Sequence, residues 1–245
     1  MQKLNWKIGM GALLGCLSFF QAAEAAEIAT LAEVAGKPVS VQVTIGEQWA
    51  HSFRMFLKKI TTTPQMAIWA EDADGKYLET LYVTKKFATQ NWGIGSGAKA
   101  DATHRVESLP YWMFKRGAAG LPSPTKNAPL PDAVTSASPK EDFILKTNVP
   151  GEATEIFVLM EVNLSFDEND AYPEKAKERD ANYSGVSGQP AVVYRAKVNV
   201  AAPGRYDMTL IGHSSPSGKD GQLYEDVSSL TTALHIVKQA VVVVE

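Results

Sequence analysis

Short runs of alternating apolar and polar residues, punctuated by turn-forming pairs, constrain this chain more than any other feature. Val39 to Ile45 reads Val-Ser-Val-Gln-Val-Thr-Ile, the period-two pattern of a strand with one buried face. An apolar run from Met66 to Ala70 passes through Asp72-Ala73-Asp74-Gly75 into Tyr77 to Val83. Asp-Gly between two β-rich segments marks a hairpin, because glycine takes the positive φ of the tight turn. Further strands are expected at Phe143 to Val149, Glu155 to Ser165, Ala191 to Val200, Tyr206 to Gly212 and Ala233 to Val244, with turns at Pro150-Gly151 and Pro203-Gly204. Many short strands and few long helical patterns predict an all-β chain, an antiparallel immunoglobulin-like β-sandwich, built as one elaborated domain or as two β-rich halves. The continuous run Val241 to Val244 requires a central or covered strand, since as an open edge it would invite aggregation.

The first residues set the compartment. Lys3 and Lys7 precede an apolar run from Ile8 to Phe20 and then Ala23-Glu24-Ala25. Those are the basic, apolar and small-residue regions of a secretory signal peptide at 1–25, with cleavage expected after Ala25. The apolar run of roughly 13 residues has the length of a signal core and is short for a bilayer span. Leu13-Leu14-Gly15-Cys16 offers a second processing route, with an acylated Cys16 opening the mature chain. The expected location is the periplasm. Cys16 is the one cysteine of the chain, so simple secretion leaves a mature protein without disulfides or thiol chemistry, stabilised by its core alone. A formal charge of −3 with no basic stripe argues against nucleic acid as a partner.

The organisation expected from composition is a first β-rich half over 26–116, a linker rich in proline, alanine and serine over 117–142, and a second β-rich half over 143–245. Prolines at 122, 124, 129 and 131 make the linker extended and surface-exposed.

Several candidate sites reduce to ordinary structure. Asp72 and Asp74 lack the continued ligand spacing of a calcium loop. Gly93 to Gly97 lacks the strand-to-helix setting of a phosphate loop. Asp167-Glu168-Asn169-Asp170 has four consecutive oxygen-bearing side chains, which cannot all converge on one ion. His213, Ser214 and Asp220 are triad residue types without a nucleophile elbow, and the four histidines are too dispersed to define a zinc site. Trp92, Tyr111, Trp112 and Phe114 either line a ligand groove or close the end of a core. His104-Arg105 either approaches an anionic ligand or stands as a solvated pair.

Two resemblances add to this reading. Met66 to Val83, the Phe166 to Pro173 and Tyr183 to Pro190 phrases, Gly212 to Gly221 and Leu230 to Lys238 resemble a periplasmic family catalogued as domain of unknown function 2271. That resemblance implies a compartment and a fold more than an activity. Asp132, Thr135, Ala137 and Ser138 resemble the acceptor motif of covalently flavinylated exported proteins, in which a flavin transferase esterifies the phosphate of FMN to a hydroxyl. The resemblance makes Ser138 the acceptor, with Ser136 standing where glycine is usual and serine where the acceptor is usually threonine. The competing reading takes Ser138-Pro139-Lys140-Glu141 as a capping box that starts a short helical turn. Two functions are therefore expected. One is an accessory or binding protein of an envelope redox or metal-uptake system, with no catalysis of its own. The other is a periplasmic electron carrier with FMN on Ser138, an aromatic such as Trp112 shielding the ring, and an envelope or membrane redox protein as partner.

Overall fold

The computed structural model describes residues 25–55, 57–92, 100–131 and 134–245. Its strands are β1 (Ala26–Ala29), β2 (Lys37–Ile45), β3 (His51–Met55), β4 (Lys58–Thr62), β5 (Gln65–Asp72), β6 (Tyr77–Thr84), β7 (Thr135–Ser136) and β8 (Phe143–Val149). They continue with β9 (Glu155–Asn163), β10 (Val192–Asn199), β11 (Gly204–Asp207), β12 (Thr209–His213) and β13 (Val237–Val244). Two helices, α1 (Lys85–Ala88) and α2 (Pro110–Ala118), lie between β6 and β7. The smaller sheet has the order β1-β8-β2-β13-β11, the larger β12-β10-β9-β5-β6-β7, and β3 and β4 pair as a separate hairpin. The result is an all-β sandwich, antiparallel except where β1 joins β8 and β7 joins β6. The signal-like segment and Cys16 lie outside the described residues, as do Gly93 to Gly97.

Strands from both sides of the linker share each sheet, since β5 pairs with β9 and β2 lies between β8 and β13. A single core cluster spans both, with Met66, Ile68, Leu145, Met160, Val162 and Val242 fully buried. The expected hairpin is present, with Gly75 at φ 77° in its turn. A Cβ at Gly75 would meet only ordinary contacts, the nearest at 3.6 Å. Gly75→Ala is therefore expected to cost only the left-handed strain, about 1 kcal/mol, measurable by denaturant unfolding. The valine run at the C-terminus is covered as the pattern requires, because β13 sits between β2 and β11.

Tyr206 to Gly212 is not one strand. β11 pairs with β13 in the smaller sheet and β12 with β10 in the larger, and between them the Met208 N–H donates to the Ala240 carbonyl at 2.9 Å. The chain crosses from one sheet to the other within a continuous β pattern. The C-terminal strand also begins later than expected, after a 3₁₀ turn over Thr232–His235.

Register shifts aim the side chains of the larger sheet. In the β5–β6 pair the register shifts between Ile68 and Trp69 and again between Ala70 and Glu71. Tyr82 thereby shares the face of Ile68 and meets Phe143 of the opposite sheet at 6.5 Å between ring centroids. Thr80 and Tyr77 pair instead with Trp69 and Glu71, on the outer face, where α2 packs. There Trp112 Nε1 donates to Thr80 Oγ1 at 3.0 Å, and the Trp112 ring meets Phe87 edge-on at 5.9 Å. Lys115 Nζ bonds Glu71 Oε2 at 3.1 Å and the Gly75 carbonyl at 3.0 Å, tying the end of the helix to the hairpin.

Candidate functional site at the loop end of the larger sheet

β7 is a two-residue edge strand, with Thr135 opposite Val83 and Ser136 opposite Thr84. Beyond it, the Ala137 carbonyl accepts the Tyr82 hydroxyl at 3.2 Å, and the Ser138 hydroxyl donates to the Pro64 carbonyl at 2.9 Å. Residues 139–142 are not helical, so Ser138 caps no helix; its hydroxyl reaches a strand start 74 positions away instead. Ala137 is exposed and Ser138 half-buried. Asp132 lies outside the described residues. Trp112 is fully buried beneath α2 and offers no surface to a ring carried on Ser138.

The same end of the sheet collects polar groups that the sequence pattern does not mark. Gln90 Oε1 accepts from Trp92 Nε1 at 3.1 Å and from the His104 N–H at 2.6 Å, tying Trp92 to His104. Arg105 is not simply solvated. Its guanidinium lies 4.4 Å from the Trp92 centroid and 6.0 Å from that of Phe166, and Nη1 donates to Ser165 Oγ at 3.3 Å. The Lys86 ammonium lies over the same indole at 5.8 Å. Gln90, Arg105 and Phe166 have φ of 50°, 50° and 63°, in a region non-glycine residues rarely occupy. Partial desolvation of the ammonium beside the indole, and then the neighbouring Arg105, hold the Lys86 amine below its ordinary value, although the residue as a whole is exposed. Burial lowers Arg105 as well, partly offset by Glu107.

Two carboxylates brace this end. Glu107 Oε1 accepts the Val186 N–H at 3.0 Å, and burial raises its pKa against that bond. Asp167 Oδ1 accepts the Thr232 hydroxyl at 2.5 Å; that hydroxyl accepts in turn from Gln189 Nε2, while Asp167 Oδ2 is buried with no hydrogen bond among the described residues. Burial raises Asp167 too, with the Thr232 hydroxyl and then His51 acting the other way. Asn169 Oδ1 accepts the N–H groups of Ala171 and Tyr172, so Asp167 and Asn169 serve separate partners. His213 stacks on Tyr224 at 5.3 Å, while the Ser214 hydroxyl bonds the Ala191 carbonyl and Asp220 accepts from Ser215 and Tyr224. These three residues do not assemble a triad.

No family model, curated protein or solved structure matches the chain. The arrangement itself therefore carries the chemistry. It places a hydroxyl on an edge segment at the same sheet end as two cations and an indole, suited to holding an anionic or polar partner surface. Sequence reading missed Lys86, Gln90 and Phe166. Lys86 sits in a Lys-Lys pair just after a strand, and a φ above zero has no signature at a non-glycine residue.

Proposed function

We propose that the chain is an exported β-sandwich of the cell envelope that acts by binding, with no catalysis of its own, as an accessory protein of a redox or metal-uptake system. The observation that carries this reading is a chain of three left-handed residues at one sheet end: Gln90 holds the Trp92 indole, and Arg105 lies over both that indole and the Phe166 ring. Each such residue costs about 1–3 kcal/mol, and strain of that kind concentrates at sites that clamp a ligand or partner. The signal-like first residues and the likeness to a periplasmic family support the compartment. The test is affinity capture from envelope extracts with the tagged chain and its Trp92→Ala variant. A partner retained by the first and lost by the second is expected; the same recovery with both, or no specific partner, would refute the reading.

A second reading is favoured by the placement of Ser138, whose half-buried hydroxyl sits beside exposed Ala137 on an edge segment. A transferase needs such a hydroxyl among small side chains. In this reading the chain carries FMN as a phosphoester of Ser138 and passes electrons to an envelope redox protein, the flavin supplying the redox chemistry. Intact mass and visible spectrum of the protein from a host with the transferase test it. One FMN per chain, absent in Ser138→Ala, is expected, and an unmodified, colourless wild type sinks the reading. Ser138→Ala itself removes one partly exposed hydrogen bond, for a loss of about 1 kcal/mol.

A further inference from the structure

We propose that Lys86 and Arg105 form a binding site for a phosphate group at the loop end of the larger sheet. The inference stands on the arrangement of the two cations and does not require Ser138 to be modified.

Both cations lie over one ring, with centroid distances of 5.8 Å for Lys86 and 4.4 Å for Arg105. Arg105 depresses the Lys86 amine, so the two like charges repel each other, and an anion that reaches both turns that repulsion into attraction. Among the described residues neither forms a salt bridge. The nearby Glu107 is directed at the Val186 N–H. Arg105 donates to Ser165 Oγ, which engages one of its five N–H donors. The rest of its planar fork suits two oxygens of one phosphate, and Lys86, exposed, supplies a mobile point charge for another. Ser165 Oγ accepts from Arg105, and its own proton can serve the same anion. The site is held ready, because Arg105 is fixed at φ 50° and Gln90 pins both Trp92 and His104.

A dianion matches two cations better than a carboxylate does, since a phosphate monoester carries roughly −1.5 to −2 charge at neutral pH. Phosphate could come from a nucleotide such as FMN, from a lipid headgroup, or from solution. The sheet register makes the first source geometrically reasonable. Thr84 pairs in parallel with Ser136, so Lys86 and Ser138, each two residues further on, leave the same end of the sheet.

The test is calorimetric titration of the mature protein with inorganic phosphate at low ionic strength. One saturable site per chain is expected, weakened at least about tenfold in Lys86→Gln/Arg105→Gln and unchanged in Ser138→Ala. Lys86 is exposed, so Lys86→Gln alone leaves the fold intact and must still weaken phosphate about threefold or more even if the double variant does not fold. Equal affinity in Lys86→Gln, or no saturable binding by the wild type, overturns the proposal. Titration with FMN and sedimentation with phosphatidylglycerol vesicles, each repeated with excess phosphate, then separate the sources. Displacement of FMN alone identifies a nucleotide, displacement of vesicles alone a headgroup, and binding of neither leaves free phosphate as the ligand.

Discussion

Trp112→Ala is expected to lower the unfolding free energy by about 4 kcal/mol, near the middle of the range for removing a buried aromatic ring. Trp112 is fully buried where α2 meets the outer face of the larger sheet. Its ring packs edge-on with Phe87, and its N–H reaches Thr80 Oγ1, which also pairs with the Tyr77 hydroxyl at 2.6 Å. Truncation leaves a cavity under a short helix and removes a donor from a buried hydroxyl network. Trp112→Phe retains most of the ring contact and loses the hydrogen bond, so a smaller loss of about 2 kcal/mol is expected. Denaturant unfolding of both variants measures the difference. Equal losses would mean that the N–H matters more than the ring, contrary to this packing.

The second large effect lies at the same, N-terminal end of that helix. Glu161 is fully buried in β9, and its carboxylate accepts the N–H groups of Tyr111 at 3.2 Å and Trp112 at 2.8 Å, in the first turn of α2. Leu109 at the N-cap provides no side-chain bond, so a carboxylate distant in sequence satisfies the free donors and meets the positive end of the helix. Glu161→Ala strands those donors and is expected to cost about 3 kcal/mol. Its pKa is pushed up to about 7 by burial, against the Trp112 N–H, the Ser214 hydroxyl and the Tyr111 N–H.

The direction of the pH dependence follows from that shift. The folded state holds the Glu161 proton up to about pH 7, whereas the unfolded chain releases it near its ordinary carboxylate value. Between those two values the native state binds more protons, so unfolding free energy falls as pH rises and levels off above the folded pKa. The full change is about 3 kcal/mol. Glu161→Gln, with no proton to release, is expected to flatten the profile between about pH 4.5 and 7. A profile of unchanged slope in that variant would show that other groups govern the window.

How much of this was legible follows from which interactions are local. Asp74-Gly75 announces its hairpin because the turn geometry is a property of those residues, and the β5–β6 pair forms around it. The β8 bounds match the pattern over Phe143 to Val149 because alternation, burial and pairing agree along the whole strand. The break at Met208 has no local mark, since Tyr206 to Gly212 stays β-like while its hydrogen-bonding partners change sheet. α2 had its signals, Pro110 at the first turn and Lys115-Arg116 in the last. Its aromatic run nevertheless reads as core material because Trp112 and Met113 do enter the protein interior.

The candidate site divides the same way. Thr135, Ala137 and Ser138 could be found from residue types, but the Pro64 carbonyl that receives the Ser138 hydroxyl is a tertiary neighbour. Glu161 had one clue, a lone charge within the apolar run Val158 to Val162. The clustering of Lys86, Arg105 and Trp92 depends on Gln90 bonding both Trp92 and His104, which no spacing rule reports.

The central claim is that the loop end of the larger sheet is the working face. Site-specific photo-crosslinking in the intact envelope tests it most directly, with the photoreactive residue placed once at Lys86 and once at Lys197. Lys197 pairs with Glu155 at the opposite end of the same sheet. The account predicts a discrete adduct from position 86 and none from position 197. Adducts from position 197 alone, or the same adducts from both, would contradict it.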